Sequence, residues 1–314
     1  MSVIGMFSER RDTLACFFCG GRSLRRRYTN LYHRIKTDHG PFDFYECSDC
    51  QSGLTFPMPS GESLKALYQS YTNGLPEIMR ELMGSEGELW HFQCVQRIRR
   101  MLCNRSAKDG FTWIDVGAGG GEMAGYMAAV FPNSCGLAID RHERPNSLPA
   151  KVDWLQLDLN SPDFHHACGR SADLVYATAV WEHVTEPHTF VQNMSRMLID
   201  GGMLYLVCPN YASLTHKILG TRWPYFAPGE HLAMPSPQGA VSCLKRAIEQ
   251  VGLQAVYVRS RPIMPVYSLF YAASRFNLPF ATLVPRSLRI SMPAGALESI
   301  VILDAKPRTE GKAR

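Results

Sequence analysis

No run of apolar residues in the 314-residue chain reaches the ~18 to 20 needed to cross a bilayer, so the sequence holds no candidate membrane-spanning helix. A secretory signal is also missing: the opening Met1-Ser2-Val3-Ile4-Gly5-Met6-Phe7-Ser8-Glu9-Arg10 is too short and too soon charged. The expectation is a cytoplasmic protein. Charge of one sign is not in large excess, the net value being +5. What excess exists is local: Arg10, Arg11, Arg22, Arg25, Arg26, Arg27, Arg34 and Lys36, then Arg97, Arg99, Arg100 and Arg105. These groups read either as solvated surface or as attraction to a phosphate-bearing partner. The hydrophobic share of 46% supports a real core, and the length fits one large domain or a core with an appendage.

Ten cysteines are present, yet nothing marks secretion, so a disulfide framework is not expected. Four of them form two pairs, Cys16-x-x-Cys19 and Cys47-x-x-Cys50, each a knuckle on a tight turn with glycine nearby. Strand-like residues from Tyr28 to Tyr45 join them. Two knuckles joined by strands bring four thiolates into a tetrahedron, which suits a structural Zn²⁺ with no open coordination position. A redox C-x-x-C is disfavoured, because there are two pairs and no strand–helix frame around either. Such a ribbon either binds nucleic acid or covers another domain. The remaining cysteines (Cys94, Cys103, Cys135, Cys168, Cys208, Cys243) sit in apolar surroundings and read as core thiols.

The stretch that organises the chain is Trp113-Ile114-Asp115-Val116-Gly117-Ala118-Gly119-Gly120-Gly121-Glu122-Met123. An apolar run to Val116 predicts a buried strand, and the pattern after Gly121 predicts a helix. Strand, glycine turn and helix give Gly117, Gly119 and Gly121 a ligand-binding context, although a structural turn explains a glycine triplet equally simply. Asp115 is placed to organise the loop or hold a ligand amine. Asp140 closes the next apolar run, where an acid about twenty residues past the glycines accepts from ribose hydroxyls.

Further strands are expected at Val152–Leu159, Asp173–Ala177, Met203–Cys208, Leu253–Val258 and Ser299–Ala305. Helices are expected at Glu62–Tyr71, Glu86–Cys103 and Pro187–Leu198. Alternating strands and helices imply a parallel sheet covered on both faces, with ligands at the carboxyl ends of its strands. Asp115, Asp140, Asp158, Glu182, His183 and Asn210 all fall at or just past those ends. Asp158 reads either as a partner for an adenine amine or as a turn cap.

From Ile114 to Asn210 the chain resembles the class I S-adenosylmethionine-dependent methyltransferases. Asp115 to Gly121, Asp140, Leu157-Asp158-Leu159, Asp173 to Ala177, Trp181-Glu182-His183-Val184 and Gly201 to Asn210 carry the resemblance. Past that core, Gly229-Glu230-His231-Leu232 and its surroundings resemble small-molecule enzymes such as ubiquinone-biosynthesis and sugar methyltransferases. A zinc-binding module in front resembles some deoxysugar C-methyltransferases. The resemblance implies a seven-stranded α/β, Rossmann-like sheet. It implies S-adenosylmethionine held by Asp115, Gly117, Gly119, Gly121, Asp140, Asp158, Leu159 and Ala177. His183, Glu182, His231 and Glu230 are the catalytic candidates, His183 and His231 as base or substrate ligand; in some relatives an acid–histidine pair here supports a divalent metal. An oxidoreductase of related fold would prefer G-x-G-x-x-G, and position 122 is Glu122.

The division expected is a zinc-ribbon-like module at 1–56, a linker and helical cap at 57–110, and the cofactor-binding domain at 111–314, with 211–237 covering the substrate. Residues 262–292 are rich in aromatic and apolar side chains, read as core or dimer packing or as a surface for an apolar, lipid-linked acceptor. The function expected is methylation of a small molecule by a monomer or homodimer. One alternative is an RNA or protein methyltransferase gripping its substrate with the basic ribbon, although Thr178-Ala179-Val180-Trp181 replaces the Asn-Pro-Pro-Tyr-type signature of many base-methylating enzymes. Another is an inactive cofactor-binding scaffold.

Overall fold

The computed structural model describes residues 15–32, 40–59, 63–64, 77–102, 110–275, 283–285, 287–291 and 295–304. The expected helix at Glu62–Tyr71 falls almost wholly outside them, as do Arg10, Arg11, Arg34, Lys36, Cys103 and Arg105.

Two sheets organise the molecule. In the first, β1 (Leu24–Leu31), β2 (Phe42–Cys47) and β3 (Gly53–Phe56) run antiparallel, and β3 also pairs with the short β9 (Ala233–Met234). The helix α1 (Glu77–Met101) then leads into the second sheet. Its elements are β4 (Thr112–Val116), α2 (Glu122–Val130), β5 (Cys135–Asp140), β6 (Val152–Gln156), α3 (Phe164–Cys168), β7 (Ala172–Thr178), α4 (Pro187–Arg196), β8 (Leu198–Pro209), α5 (Leu214–Leu219), α6 (Pro237–Gln250), β10 (Ala255–Ile263) and β13 (Ala296–Leu303). A small hairpin, β11 (Val266–Ser268) with β12 (Arg289–Ser291), flanks α7 (Leu269–Arg275).

The seven strands lie in the order β10-β13-β8-β7-β4-β5-β6. Strands β6, β5, β4, β7 and β8 are parallel, and β13 runs antiparallel to both β8 and β10. From β4 the chain winds outward one way through β5 and β6, then returns to build the other side from β7. The carboxyl ends of β4 and β7 therefore frame the crevice where strand order reverses, the usual place for a ligand in such a sheet. This is the Rossmann-like α/β architecture expected.

Side-chain alternation assigns the two faces. Ile114, Val116, Val175, Ala177, Leu204 and Leu206 pack toward α4 and α6, while Trp113, Tyr176, Met203 and Tyr205 pack toward α1 and α2. By the same alternation Asp115 falls on the α1–α2 face. Capping fixes where α6 starts: the Ser236 hydroxyl accepts from Gly239 N–H at 2.9 Å, and Pro237 follows at a position where its missing N–H costs nothing. The strand expected to start at Met203 begins at Leu198, because Leu198 already pairs with Ala172 before an irregularity in the ladder.

The cysteine-bearing strands share the main core. Phe18 is fully buried and meets Trp181 edge-on, ring centroids 5.5 Å apart. Cys16, Cys47, Cys50 and Leu54 pack in the same cluster as Ala240, Cys243 and Leu244 of α6. A second cluster, Phe44, Tyr211, Trp223, Phe226 and Met234, joins β2 to the segment after β8. Removing a buried ring from such a site costs about 3–5 kcal/mol. Phe18→Ala is therefore expected to lower the unfolding free energy by about that much in urea titration, and a loss under ~1 kcal/mol would contradict the packing described.

Candidate functional site

The glycine turn is built by left-handed backbone. Gly117, Gly119 and Gly121 have φ of +79°, +54° and +80°, values that side chains with a Cβ rarely adopt. A Cβ at Gly117 would sit 2.4 Å from Val180 Cγ2, so the turn packs directly against the chain leaving β7. A Cβ at Gly119 would meet nothing within 4 Å, so the backbone there faces open space. Gly117 and Gly119 thus have different tasks: the first admits a neighbour, the second leaves open space. Gly119 N–H donates to Asp140 Oδ2 at 2.9 Å.

Asp140 is nearly buried at the end of β5, and its Oδ1 accepts from His142 N–H at 3.1 Å and lies 2.7 Å from His142 Nδ1. Two carboxylate oxygens offer about four acceptor sites, so capacity remains for a ligand hydroxyl. Asp115 is buried, and burial pushes its carboxyl up to about 8, the nearby Tyr176 hydroxyl opposing the shift. Its Oδ2 has no hydrogen-bond partner among the described residues, and neither has the Tyr176 hydroxyl beside it. Open space over Gly119, an acid at the next strand end and an unsatisfied carboxyl below together fit the nucleoside and amine of S-adenosylmethionine. Asp158, past β6, is exposed, and its Oδ1 accepts from Asn160 N–H at 3.0 Å. Leu159 beside it is half-buried, and Ala177 lies in the sheet interior.

Across the crevice an acid and two histidines converge. Past β7 the chain turns through Ala179, at φ +54°, and presents Glu182 and His183. His231 comes from the long segment after β8. His183 Nδ1 is 3.1 Å from Glu230 O, and His231 Nδ1 is 2.6 Å from Tyr225 O. A carbonyl only accepts, so both imidazoles donate through Nδ1 and keep their lone pair on Nε2. The rings stand edge-to-face with centroids 4.7 Å apart, and His183 Nε2 is 3.8 Å from Glu182 Oε1. Glu182, His183 and His231 each bring a ligand atom within 4.8 Å of the others.

Burial sets the charge of this cluster. It pushes Glu182 up to about 8, its own backbone N–H opposing and the Glu230 charge adding to the shift. It pushes His183 down to about 3, with His231 adding to the effect. Near neutrality the pocket therefore holds a neutral imidazole beside a carboxyl poised to exchange its proton. Glu182 Oε2 is buried without a partner among the described residues. Glu230 is buried and contributes its carbonyl to His183. Tyr225 meets Tyr267 hydroxyl to hydroxyl at 2.9 Å, tying the segment after β8 to β11.

The four knuckle cysteines do come together. Cys16 Sγ lies 3.5 Å from Cys50 Sγ, Cys19 Sγ lies 3.6 Å from Cys47 Sγ, and all four are within 4.8 Å of one another. A disulfide needs ~2.05 Å. Thiolates ~2.3 Å from one Zn²⁺ have edges of ~3.8 Å, close to the spacing seen. Cys16 and Cys50 share a proton across their hydrogen bond, which lowers the Cys50 thiol to about 5 and raises that of Cys16. The arginines of β1 are already paired: Arg25 with Glu46 at 3.0 Å, Arg26 with Asp43 at 3.3 Å and Arg27 with Glu46 at 3.4 Å.

A cavity of about 460 Å³ opens near the ends of β8 and β10, with Asn210, Leu214, Lys217, Ile263 and Met264 in its wall. None of Glu182, His183 or His231 lines it. Within 262–292 the outcome is split: Tyr267 and Phe270 are buried, whereas Met264, Leu283, Leu288 and Ile290 are exposed. Two residues of the site carry no local sequence signal. Tyr176 is reached only by following alternation on β7 beside Asp115, and Thr55 enters through strand pairing.

Raised carboxyls make the folded chain the better proton binder. Asp115 and Glu182 keep their protons when folded up to about 8, against 3.8 and 4.5 for the free groups. Stability is thus expected to be fullest below those free values and to fall as pH rises through about 8. In Glu182→Gln the decline between pH 5 and 8 should be shallower, by on the order of a few kcal/mol over the window, in urea titrations at stepped pH. An unchanged slope would contradict the burial assigned to Glu182.

A family model described as a methyltransferase domain matches residues 89–258, more than half of the chain. Among curated proteins, the trans-aconitate 2-methyltransferase of Azoarcus sp. (strain BH72) is 25% identical over 45% of this chain and 58% of its own length. The ubiquinone biosynthesis O-methyltransferase of Maricaulis maris (strain MCS10) is 26% identical over 37% of this chain and 48% of its own length. The chain thus spans about half the length of the curated relatives it matches. Among solved structures, the plantazolicin methyltransferase BpumL in complex with SAH aligns at a TM-score of 0.52 and 15% identity, covering 77% of this chain and 96% of that one, a likeness of fold. By its glycine turn, its strand order and the extent of the family match, the chain belongs to the methyltransferase domain family.

Proposed function

We propose that the protein is an S-adenosylmethionine-dependent methyltransferase acting on a small molecule whose attacking atom carries a proton. The observation that supports this best is the pairing of two half-sites: the open glycine turn with Asp115 and Asp140, and the Glu182–His183–His231 cluster facing it from β7 and the segment after β8. When bound, S-adenosylmethionine supplies an electrophilic methyl group. The chain's part is to orient the acceptor and take its proton. In this reading the unprotonated Nε2 atoms of His183 and His231 face the acceptor and take its proton, and Glu182, which keeps its own proton up to about 8, holds the acceptor group. Asp140 holds the ribose.

The RNA or protein reading is the weaker one, because Arg25, Arg26 and Arg27 are engaged by Glu46 and Asp43. The scaffold reading sits poorly with two buried carboxyls left waiting for partners, Asp115 and Glu182. One variant reading is favoured by a specific observation. Two imidazoles oriented by Nδ1–H to carbonyl bonds beside a carboxylate are also the donor set of a divalent cation site. We assign structural Zn²⁺ to Cys16, Cys19, Cys47 and Cys50.

Titration calorimetry with S-adenosylhomocysteine checks the cofactor side. Asp140→Ala removes hydrogen bonds to a charged acceptor worth ~1.5–3 kcal/mol, so the affinity is expected to fall about 10- to 100-fold. An unchanged affinity would defeat the ribose assignment. Metal analysis of the purified protein checks the other side. One equivalent of zinc per chain is expected, and its absence would remove the zinc assignment. A second equivalent of divalent metal that disappears in His231→Ala would select the cation-bearing form of the acceptor site.

A further inference from the structure

The cysteine module reaches the Glu–His–His cluster through one side chain. Thr55, on β3, is buried. Its hydroxyl donates to His231 O at 2.8 Å, and its backbone N–H donates to Leu232 O at 2.8 Å. One step further along, Gly53 and Leu54 pair with Met234 and Ala233. On the opposite side, Leu232 N–H donates to Glu182 O at 2.7 Å and Ala233 N–H to the same oxygen at 3.3 Å. The main chain at His231 is therefore clamped between the residue that follows β7 and the strand that follows the second knuckle.

The knuckle is tied to the same segment. Ser236 Oγ donates to Cys50 O, Ser236 N–H donates to Ser52 Oγ at 3.0 Å, and Gln238 Nε2 donates to Asp49 O at 3.2 Å. The strand β9, just ahead of these contacts, is only two residues long. So short a pairing is marginal alone. The Thr55 hydroxyl supplies the added bond at the residue whose imidazole enters the site.

We propose that Thr55 is a positioning residue: through its hydroxyl the cysteine module sets the main chain, and hence the imidazole direction, of His231. The module is on this account a wall of the acceptor site and not a separate reader of nucleic acid. The role rests on the reading of His231 as an acceptor-side residue.

The test is side-chain ¹⁵N NMR of the histidines in the full-length protein, comparing wild type with Thr55→Val and Thr55→Ser. Valine keeps the size and the backbone N–H but removes the hydroxyl. In wild type, His231 should show one protonated Nδ1 and one unprotonated Nε2. In Thr55→Val that separation should collapse toward averaged values, in Thr55→Ser it should return, and S-adenosylhomocysteine affinity should stay within about 2-fold throughout. Unchanged His231 resonances in Thr55→Val would overturn the proposal. Hydrogen exchange on the unaltered protein provides a check that needs no variant. The amides of Thr55, Leu232 and Ala233 should open as one unit with those of the Cys47–Cys50 knuckle. Independent opening of 231–233 would overturn the coupling. Binding of S-adenosylhomocysteine by wild type, read on the same samples, reports on the methyltransferase reading separately.

Discussion

Residues 231–233 are hydrogen-bonded on both sides at once, to Thr55 from β3 and to the Glu182 carbonyl after β7. Three parts of the chain far apart in sequence meet there: the cysteine module, the turn after β7, and the segment after β8 that runs through Ser236 into α6. Without these two sets of bonds, His231 would be held by hydrogen bonds within its own connection, His231 N–H to Ala227 O at 2.7 Å and Nδ1 to Tyr225 O at 2.6 Å. With both present, an imidazole on a loop is held as firmly as one on a strand. The burial of Phe18 against Trp181 serves the same end, since it fixes the module against the chain just before Glu182 and His183.

The opposite wall is built by different means. There the backbone itself is the device: glycines at positive φ bend the chain sharply after β4, and Asp140 holds the bend through Gly119 N–H. The cost of this wall is a buried carboxyl, Asp115, kept protonated by its surroundings and left one partner short. A second buried acid with an unpaired oxygen stands at Glu182. Both halves thus hold a buried carboxyl oxygen without a hydrogen-bond partner among the described residues, Asp115 Oδ2 and Glu182 Oε2.

Much of the frame was legible in the sequence because its signals are local. Apolar runs marked β4, β5 and β7, the glycines marked the turn, and the paired cysteines marked two knuckles that close on each other. Asp140 and the Glu182-His183 pair were legible as strand-end residues. The reach of β3 to β9 was not, since nothing in Leu54 or Thr55 announces a partner near position 233. Non-local pairing leaves no period to read, so Thr55 was missed. Asp158 shows the converse limit: a strand-end acid reads alike as ligand partner or turn cap, and an exposed carboxylate that accepts from Asn160 N–H with one oxygen fits both readings. The arginines near the knuckles were legible as charge but not as ion pairs, because Asp43 and Glu46 become their neighbours only when β1 lies on β2.

The most direct measurement is a structure determined with S-adenosylhomocysteine bound. The account predicts the nucleoside above Gly119, its ribose hydroxyls on Asp140, its amine toward Asp115, and its sulfur facing the imidazoles of His183 and His231. A nucleoside bound elsewhere, or one whose sulfur points away from those imidazoles, would contradict it.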